Sequence, residues 1–325
     1  MSYIKISGRA ASFIKRCKKI WPRLTSLLLC LALLAGLPGC GRRDQSTLRI
    51  GVMPDLDSIP LMVAALAGYL PEEIQLEVYK SPVERDSALY SDHLDGGVSD
   101  LLAAFLAASG GKPYKALTVT DGCYRLVAGE KAGVENIEDL RGKKVGMSVH
   151  TIIEYAADRL LTAGGLSPAE VEKTAVPSIP TRLELLSTGQ LDAAVLPEPY
   201  ASAAIAAGGR LLGSSADLHM DAGLLLFSDQ ALSQKQDLLA ALLKGYNRAA
   251  EELNSGAADL AGAADALGLP ASLTPDQLPA YRSTVLPGDA DAKAAADWLA
   301  DTGILTDRPA LSSIYGDLEG ILKHA

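Results

Sequence analysis

The stretch from Glu138 to Tyr200 most constrains what this 325-residue chain can fold into. It contains three short apolar segments, and two segments with helical spacing of apolar residues lie between them. We therefore predict strands at 144–147, 173–177 and 193–196, each joined to the next by a helix. Strand-helix-strand-helix-strand is the pattern of a parallel sheet with right-handed crossovers. The stretch predicts an α/β fold.

Cap residues indicate where the two helices of this stretch begin. Thr151 and Glu154 have the spacing of a capping box, which predicts a helix over 152–163. Thr181 and Glu184 have the same spacing and predict a second helix that begins after Thr181.

Ligands of such sheets bind beyond the carboxyl ends of the strands, where helix N-termini point. In this stretch those positions are 148–151 and 198–200. The pattern therefore predicts a small-molecule site there.

Two motifs in the same stretch carry a family resemblance. They are DLRGKKVGMS at 139–148 and GQLDAAVLPEPYASAA at 189–204. Both resemble the solute-binding proteins of ABC importers, nearest to the nitrate, sulfonate and taurine group. That NMT1-like group also contains binders of thiamine-pyrimidine precursors. The resemblance extends over about 48–303.

The resemblance implies a two-lobed periplasmic-binding-protein type II fold. Each lobe is expected to be a mixed, mostly parallel sheet flanked by helices, with the ligand cleft between the lobes. The expected first lobe comprises 48–121 plus 222–325, and the second comprises 122–221. The first passage between them is expected near Asp121-Gly122, a natural bend.

Residues 1–39 are predicted to be a lipoprotein signal peptide. They contain seven Lys and Arg and no acidic residue, followed by an apolar run at 24–37 that is short for a bilayer span. Leu37-Pro38-Gly39-Cys40 resembles a lipobox, which makes Cys40 the expected lipidation site and 40–47 a tether. The alternative is an uncleaved anchor helix. Both place the folded part outside the cytoplasm.

Charge and cysteine content exclude several classes of protein. Without the leader the chain keeps 23 basic and 39 acidic residues, a formal net charge of −16, and nucleic-acid binders need a basic face. Apart from Cys40, the processed chain would contain one cysteine, Cys123, so no internal disulfide is expected. We interpret Cys123 as a small buried residue. No CxxC or HExxH spacing occurs, and neither a metal nor a cofactor is predicted.

The candidate ligand-binding residues lie at strand-to-helix junctions or at the expected hinge. They are Asp55, Asp57, Ser58, Ser99, Asp100, Asp121, Tyr124, Ser148, His150, Thr151, Glu198 and Tyr200. Several have a simpler interpretation as helix caps or hinge residues without ligand contact. His150 has three interpretations: a residue near a cap, a ligand contact or a catalytic group. No catalytic residue is predicted, because no nucleophile–base pair is apparent around it.

The charges of the candidates favour one class of ligand. Carboxylates outnumber the basic candidates Arg85, His150 and Arg182, and like charges disfavour a bare dianion. We expect a cationic or neutral hydrogen-bonding solute, with an amine or a heterocycle such as a pyrimidine precursor. The alternative is an anion receptor of the nitrate, sulfonate or taurine type, in which helix N-termini outweigh the carboxylates.

The leading hypothesis for function is the extracytoplasmic solute-binding component of an ABC importer, not an enzyme. The resemblance implies a permease and an ATPase as partners, a lipid anchor in the cell membrane and a monomer. One alternative is an enzyme of the pyrimidine or menaquinone type on the same fold. Another is a ligand-sensing domain that regulates a membrane partner.

Beyond residue 230 the spacing of apolar residues becomes helical. We predict helices at 238–253, 257–267, 274–281 and 291–302. We interpret Trp298 as a core residue. The sequence itself gives no sign of an internal repeat.

Overall fold

The computed structural model of the protein describes residues 46–271 and 273–324. The predicted signal peptide, the predicted lipidation site Cys40 and the first part of the tether lie outside the described residues. Within the described ranges, no helix is both long and apolar enough to cross a bilayer.

Ten strands of the described chain form two five-stranded sheets. They are β1 Leu48–Val52, β2 Ile74–Val78, β3 Gly96–Asp100, β4 Tyr114–Val119, β5 Tyr124–Ala128, β6 Lys144–Met147, β7 Glu172–Ala175, β8 Ala193–Pro197, β9 Arg210–Ser214 and β10 Gly223–Ser228. The strand order of the first sheet is β2-β1-β3-β10-β4, and that of the second is β7-β6-β8-β5-β9. We call the first sheet with the helices packed on it the first lobe, and the second sheet with its helices the second lobe. Each sheet has two parallel and two antiparallel pairings.

Eleven helices are present in the described residues. They are α1 Ile59–Leu66, α2 Pro82–Tyr90, α3 Leu101–Ser109, α4 Ile152–Ala163, α5 Ile179–Ser187, α6 Tyr200–Ala206, α7 Asp229–Gln234, α8 Gln236–Ser255, α9 Leu260–Leu267, α10 Asp289–Asp301 and α11 Leu318–Leu322. The predicted α/β fold with two mixed sheets flanked by helices is confirmed.

Two predicted helix positions are wrong. Helix α5 begins at Ile179 with Pro180 in its first turn, so Thr181 lies inside the helix and does not cap it. The helix expected at 274–281 is a single 3-10 turn, Pro275–Gln277. The reason is Pro279, which has no N–H to donate to the Pro275 carbonyl.

The structure contains an internal repeat that the sequence analysis missed. Strands β1, β2 and β3 have the same order and direction in the first lobe as β6, β7 and β8 in the second. In the first lobe Arg85 Nη1 donates to the Val98 carbonyl at 3.1 Å, and in the second Arg182 Nη1 donates to the Val195 carbonyl at 2.7 Å. In both pairs the carbonyl lies 13 residues after the arginine.

The two repeats also share a glycine in their first strand that packs against a leucine. A Cβ added to Gly51 in β1 would lie 2.6 Å from a methyl carbon of Leu94, and one added to Gly146 in β6 would lie 2.4 Å from a methyl carbon of Leu191. Glycine is needed at both positions because a leucine packs on the strand there.

The chain passes between the sheets at 120–123 and at 215–222. The lobe boundaries expected at 121/122 and 221/222 fall inside these passages and stay a prediction. The lobes contact each other elsewhere too: Leu56 N–H donates to the Glu198 carbonyl at 3.1 Å, and Ile179 N–H donates to the Lys80 carbonyl at 3.2 Å. One hydrophobic cluster includes buried residues of α3 and α10 together with α4. The arrangement is therefore closed.

Candidate functional site

A small cavity between the two sheets brings together residues from both lobes; we call it the central cavity. Its polar residues are Asp55, Asp57, Arg85 and Ser99 of the first lobe, and Tyr124, Ile152, Ile153, Ile179 and Pro197 form its second-lobe wall. Its volume is about 20 Å³, which is room for roughly one water molecule. Four of the twelve predicted residues line it: Asp55, Asp57, Ser99 and Tyr124.

Asp55 follows β1 and caps the 3-10 turn Leu56–Ser58. Its Oδ1 accepts from the Ser58 backbone N–H at 3.2 Å and from the Ser58 hydroxyl at 3.0 Å. Burial, helped by the charge of Asp57, raises the pKa of Asp55 from 3.8 to about 8. This carboxyl group is therefore protonated below about pH 8 unless a cation approaches it.

Asp57 is 4% exposed and reaches the first passage between the lobes. Its Oδ1 accepts from Gly122 N–H at 2.7 Å. Burial raises the pKa of Asp57 too, and the hydrogen bond from Gly122 acts against that rise. The cavity thus contains two buried carboxyl groups of which at least one resists ionisation.

Arg85 is the basic residue of the central cavity. The structure places its guanidinium in a buried position beside two carboxylates. Its Nη2 lies 2.7 Å from Asp86 Oδ1 and 3.3 Å from Asp100 Oδ2. Asp100 is also the cap of α3, where it accepts from Ala103 N–H. Because its charge is already shared by two carboxylates, Arg85 offers little to a further anion.

Ser99 and Ser148 carry buried hydroxyls with no hydrogen-bond partner among the described residues. Ser99 is 4% exposed and lines the central cavity, whereas Ser148 is 1% exposed and does not line it. An unsatisfied buried hydroxyl is costly, so the Ser99 oxygen marks a position where a ligand or a water would be held.

Three isoleucines of the second-lobe wall lie at helix starts. Ile152 and Ile153 are the first residues of α4, and Ile179 is the first residue of α5. The positive ends of the α4 and α5 dipoles therefore lie near the cavity, but the isoleucine side chains stand between these helix ends and the cavity. The sequence analysis missed all three isoleucines.

Other predicted residues near this wall are occupied by local structure. Thr151 caps α4 and bonds to Ile153 N–H, as expected of an N-cap. His150 is exposed and has a left-handed backbone conformation at φ 59°. Its backbone N–H donates to the Glu154 carboxylate. Ser58 is fully buried, and its hydroxyl donates to Asp55 and accepts from Met53 N–H.

Glu198 and Tyr200 are also engaged within the protein. The Glu198 carboxylate lies 2.6 Å from Arg125 Nη1 and accepts from the Ser202 hydroxyl at 3.0 Å. The Tyr200 hydroxyl donates to the Gly268 carbonyl at 3.2 Å. Tyr200 therefore links the second lobe to the first, whereas the Glu198 carboxylate is engaged within the second lobe.

A larger cavity of about 620 Å³ lies at the hinge and shares no lining residue with the central cavity. Of the twelve predicted residues it contains Asp121, whose Oδ1 pairs with Arg282 Nε at 2.5 Å; Arg282 Nη1 pairs with Asp221 at 2.6 Å. Although it is roomier, its charged groups are largely paired with one another. We keep the central cavity as the candidate, because both lobes contribute to it and its Ser99 hydroxyl has no partner among the described residues. At about 20 Å³ it must widen, by opening of the lobes, to admit a solute.

Cys123 lines the hinge cavity and is free. Burial, followed by the nearby charge of Glu198, raises the pKa of its thiol to about 11. A thiol with so high a pKa is a poor nucleophile at neutral pH. Over residues 46–271 and 273–324 no cluster of three or more His, Cys, Asp or Glu could hold a metal ion.

Comparison with known proteins agrees with this architecture. The model of the NMT1-like family matches residues 41–267. No curated protein shows significant sequence similarity to the chain.

Solved structures resemble the fold at low sequence identity. The ligand-binding component of an ABC-type import system from Staphylococcus aureus, with zinc bound, has a TM-score of 0.70 at 15% identity, over 86% of this chain and 98% of that one. The alkanesulfonate-binding protein SsuA from Xanthomonas axonopodis pv. citri, bound to MOPS, has a TM-score of 0.69 at 21% identity, over 83% and 98%. A mutant of the desulfurization enzyme DSZB in complex with biphenyl-2-sulfinic acid has a TM-score of 0.59 at 16% identity, over 86% and 99%. The two-lobed periplasmic-binding fold thus occurs in binding proteins and in an enzyme.

Proposed function

The chain belongs to the NMT1-like family, and from that premise we propose that it is the extracytoplasmic solute-binding component of an ABC importer. The two-lobed fold suits this role, since a ligand that bridges both lobes favours the closed form. The SsuA and Staphylococcus aureus structures support the proposal, because they share the fold and are, respectively, an alkanesulfonate-binding protein and the ligand-binding component of an ABC-type import system.

We propose a solute that carries a protonated amine or a hydrogen-bonding heterocycle, such as a pyrimidine precursor. The observation that carries this proposal is the buried pair Asp55 and Asp57 in the central cavity. A cation between them would replace the proton that Asp55 otherwise holds, and the unpaired Ser99 hydroxyl would supply a further hydrogen bond.

A thermal-shift panel at pH 8 tests the ligand class. It contains alkylammonium salts, pyrimidines, taurine, alkanesulfonates and nitrate, each applied to the wild type, Asp55→Asn and Asp265→Asn. We expect amines or pyrimidines to raise the Tm of the wild type and of Asp265→Asn, whose exposed carboxylate is the matched control, but not of Asp55→Asn. A response to nitrate or taurine alone would contradict an amine ligand.

The second candidate is an anion receptor. It is favoured by the N-termini of α4 and α5, which lie at the cavity wall, and by the binding of alkanesulfonates by SsuA. Against it stand the two carboxyl groups and the engagement of Arg85 by Asp86 and Asp100. The same panel separates the two candidates.

We propose that the protein is not an enzyme, although DSZB has a related fold. The thiol of Cys123 lies at the hinge cavity and has a raised pKa, and the described residues that line the candidate site include no nucleophile–base pair. Turnover of any solute in the panel would argue for the enzyme alternative.

We further propose that Cys40 is lipidated after removal of 1–39 and that the anchored protein works as a monomer with a permease and an ATPase. Metabolic labelling with a fatty acid tests the anchor, and Cys40→Ser should abolish the label. Light scattering of the detergent-solubilised protein tests the monomer.

A further inference from the structure

Asp57 belongs to the central cavity and to the hinge at the same time. Its Oδ1 accepts from the N–H of Gly122, the middle of the first passage between the lobes, at 2.7 Å. Its carboxyl group also lines the central cavity. Whatever occupies the cavity therefore meets a group that is bonded to the hinge backbone.

Both passages pack tightly on this carboxyl group. A Cβ added to Gly122 would lie 2.1 Å from Asp57 Oδ2, and one added to Gly223, where the return passage enters β10, would lie 2.9 Å from Asp57 Oδ1. The passages are also joined to each other, because Thr120 N–H donates to the Gly223 carbonyl at 3.0 Å. A side chain at either glycine would displace Asp57.

Asp55 provides the contrast within the same cavity. It has comparable burial, but its Oδ1 accepts from Ser58 of its own segment and not from a passage. Loss of Asp55 therefore removes a carboxyl group from the cavity without removing a partner of the hinge.

We propose that Asp57 is the positioning residue that couples occupancy of the central cavity to closure of the lobes. A solute that holds the Asp57 carboxylate in place keeps Gly122 N–H satisfied, and this stabilises the closed form. The solute part of this inference rests on the proposed function, whereas the link between Asp57 and the hinge does not.

Trp298 supplies a readout of closure. The chain has two tryptophans, and the other, Trp21, lies in the predicted signal peptide. The indole Nε1 of Trp298 in α10 donates to Asp158 Oδ2 in α4 of the opposite lobe at 3.1 Å, and its ring stands edge-on to Tyr155 at 5.6 Å. Opening of the lobes would separate these groups and change the fluorescence of the processed protein.

The experiment compares the processed wild type with Asp57→Ala, Asp57→Asn and Asp55→Ala, first without solute. Asp57→Ala leaves Gly122 N–H without an acceptor, so we expect the open-to-closed ratio to rise roughly 5- to 150-fold. Asp57→Asn keeps an acceptor oxygen and should keep the open-to-closed ratio of the wild type, as should Asp55→Ala. Trp298 fluorescence and the radius of gyration from X-ray scattering report the change.

A second pair of variants tests the contact without altering charge. Gly122→Ala should open the lobes, because the new methyl group collides with the Asp57 carboxyl group. Gly288→Ala is the control, since its added Cβ meets nothing within 4 Å and its φ is −74°.

Ethylammonium chloride is then the probe of occupancy. We expect it to lower the open-to-closed ratio of Asp55→Ala less than that of the wild type, and to leave the ratio of Asp57→Ala unchanged. Equal opening of Asp57→Ala and Asp55→Ala, or no opening by Gly122→Ala, would overturn the coupling. If ethylammonium leaves the wild type unchanged while Asp57→Ala and Gly122→Ala still open, the proposed ligand class fails and the link to the hinge stands.

Discussion

The raised pKa of Asp55 makes binding of a cation depend on pH in a direction that can be calculated. A cation binds the ionised carboxylate, whereas the free protein holds Asp55 protonated up to about pH 8. Below that pH, binding must expel the proton, so each unit of acidification costs about tenfold in affinity, or roughly 1.4 kcal/mol. At pH 8 about half of Asp55 is already ionised, so from pH 8 to pH 6 the affinity for ethylammonium should fall about 50-fold.

Isothermal titration calorimetry of ethylammonium at pH 6, 7 and 8 measures this dependence. The probe keeps its charge over this range, as alkylammonium groups titrate near pH 10. Titration in two buffers of different ionisation enthalpy counts the protons released, and we expect about one at pH 6 and roughly half of one at pH 8. Asp55→Asn should bind more weakly and with a smaller dependence on pH, because Asp57 is then the only one of the two carboxyl groups left to titrate.

Stability of the ligand-free protein provides a second check with its own sign. The folded pKa of Asp55 lies above the unfolded value of about 3.8, so the folded state holds more protons between the two. The free energy of unfolding should therefore fall as the pH rises from about 4 to 8.

The calorimetry gives the result that would refute the reasoning. This is an affinity for ethylammonium that stays constant between pH 8 and pH 6, or one that strengthens on acidification as expected for an anion.

Two further predictions concern stability. Lys235→Met should lower the free energy of unfolding by about 3–5 kcal/mol in urea titrations, because it removes the ammonium group that lies 2.8 Å from the buried Asp95 carboxylate. The control, Lys293→Met, breaks an exposed ion pair within a helix and should lower the free energy of unfolding by less than about 0.5 kcal/mol. Equal losses in the two variants would contradict the argument. Arg182→Met should cost about 3 kcal/mol or more, because three carbonyl oxygens lose the guanidinium that bonds to them, and a variant as stable as the wild type would show that these carbonyls find other partners.

Local signals in the sequence were enough to predict much of the fold. The predicted helix 152–163 has the bounds of α4, because the N-cap Thr151 and the glycines after Ala163 act within one turn of the helix ends. The internal repeat was not predicted, because the two copies share few side chains. What they share is a contact between an arginine and a strand carbonyl, which a single sequence does not reveal.

The site was predicted in part for a similar reason. Asp55 and Asp57 were found because they are polar and lie between a predicted strand and a predicted helix, where ligands of such sheets bind. Ile152 and Ile179 do not, because an apolar residue at a helix start looks like any core residue. The partner of Asp121 is Arg282, which is 161 residues away, and no local pattern predicts such a pair.

The paired arginines also bear on how the molecule moves. Arg85 links α2 to the middle of β3, and Arg182 links α5 to the middle of β8, so each lobe has its own hydrogen bond between a helix and the sheet. A swing of one half against the other can therefore leave both sheets undistorted. The bending is then concentrated in the passages 120–123 and 215–222. Substitutions there can change the affinity for the solute by changing the balance between open and closed forms, without altering the residues that contact the solute.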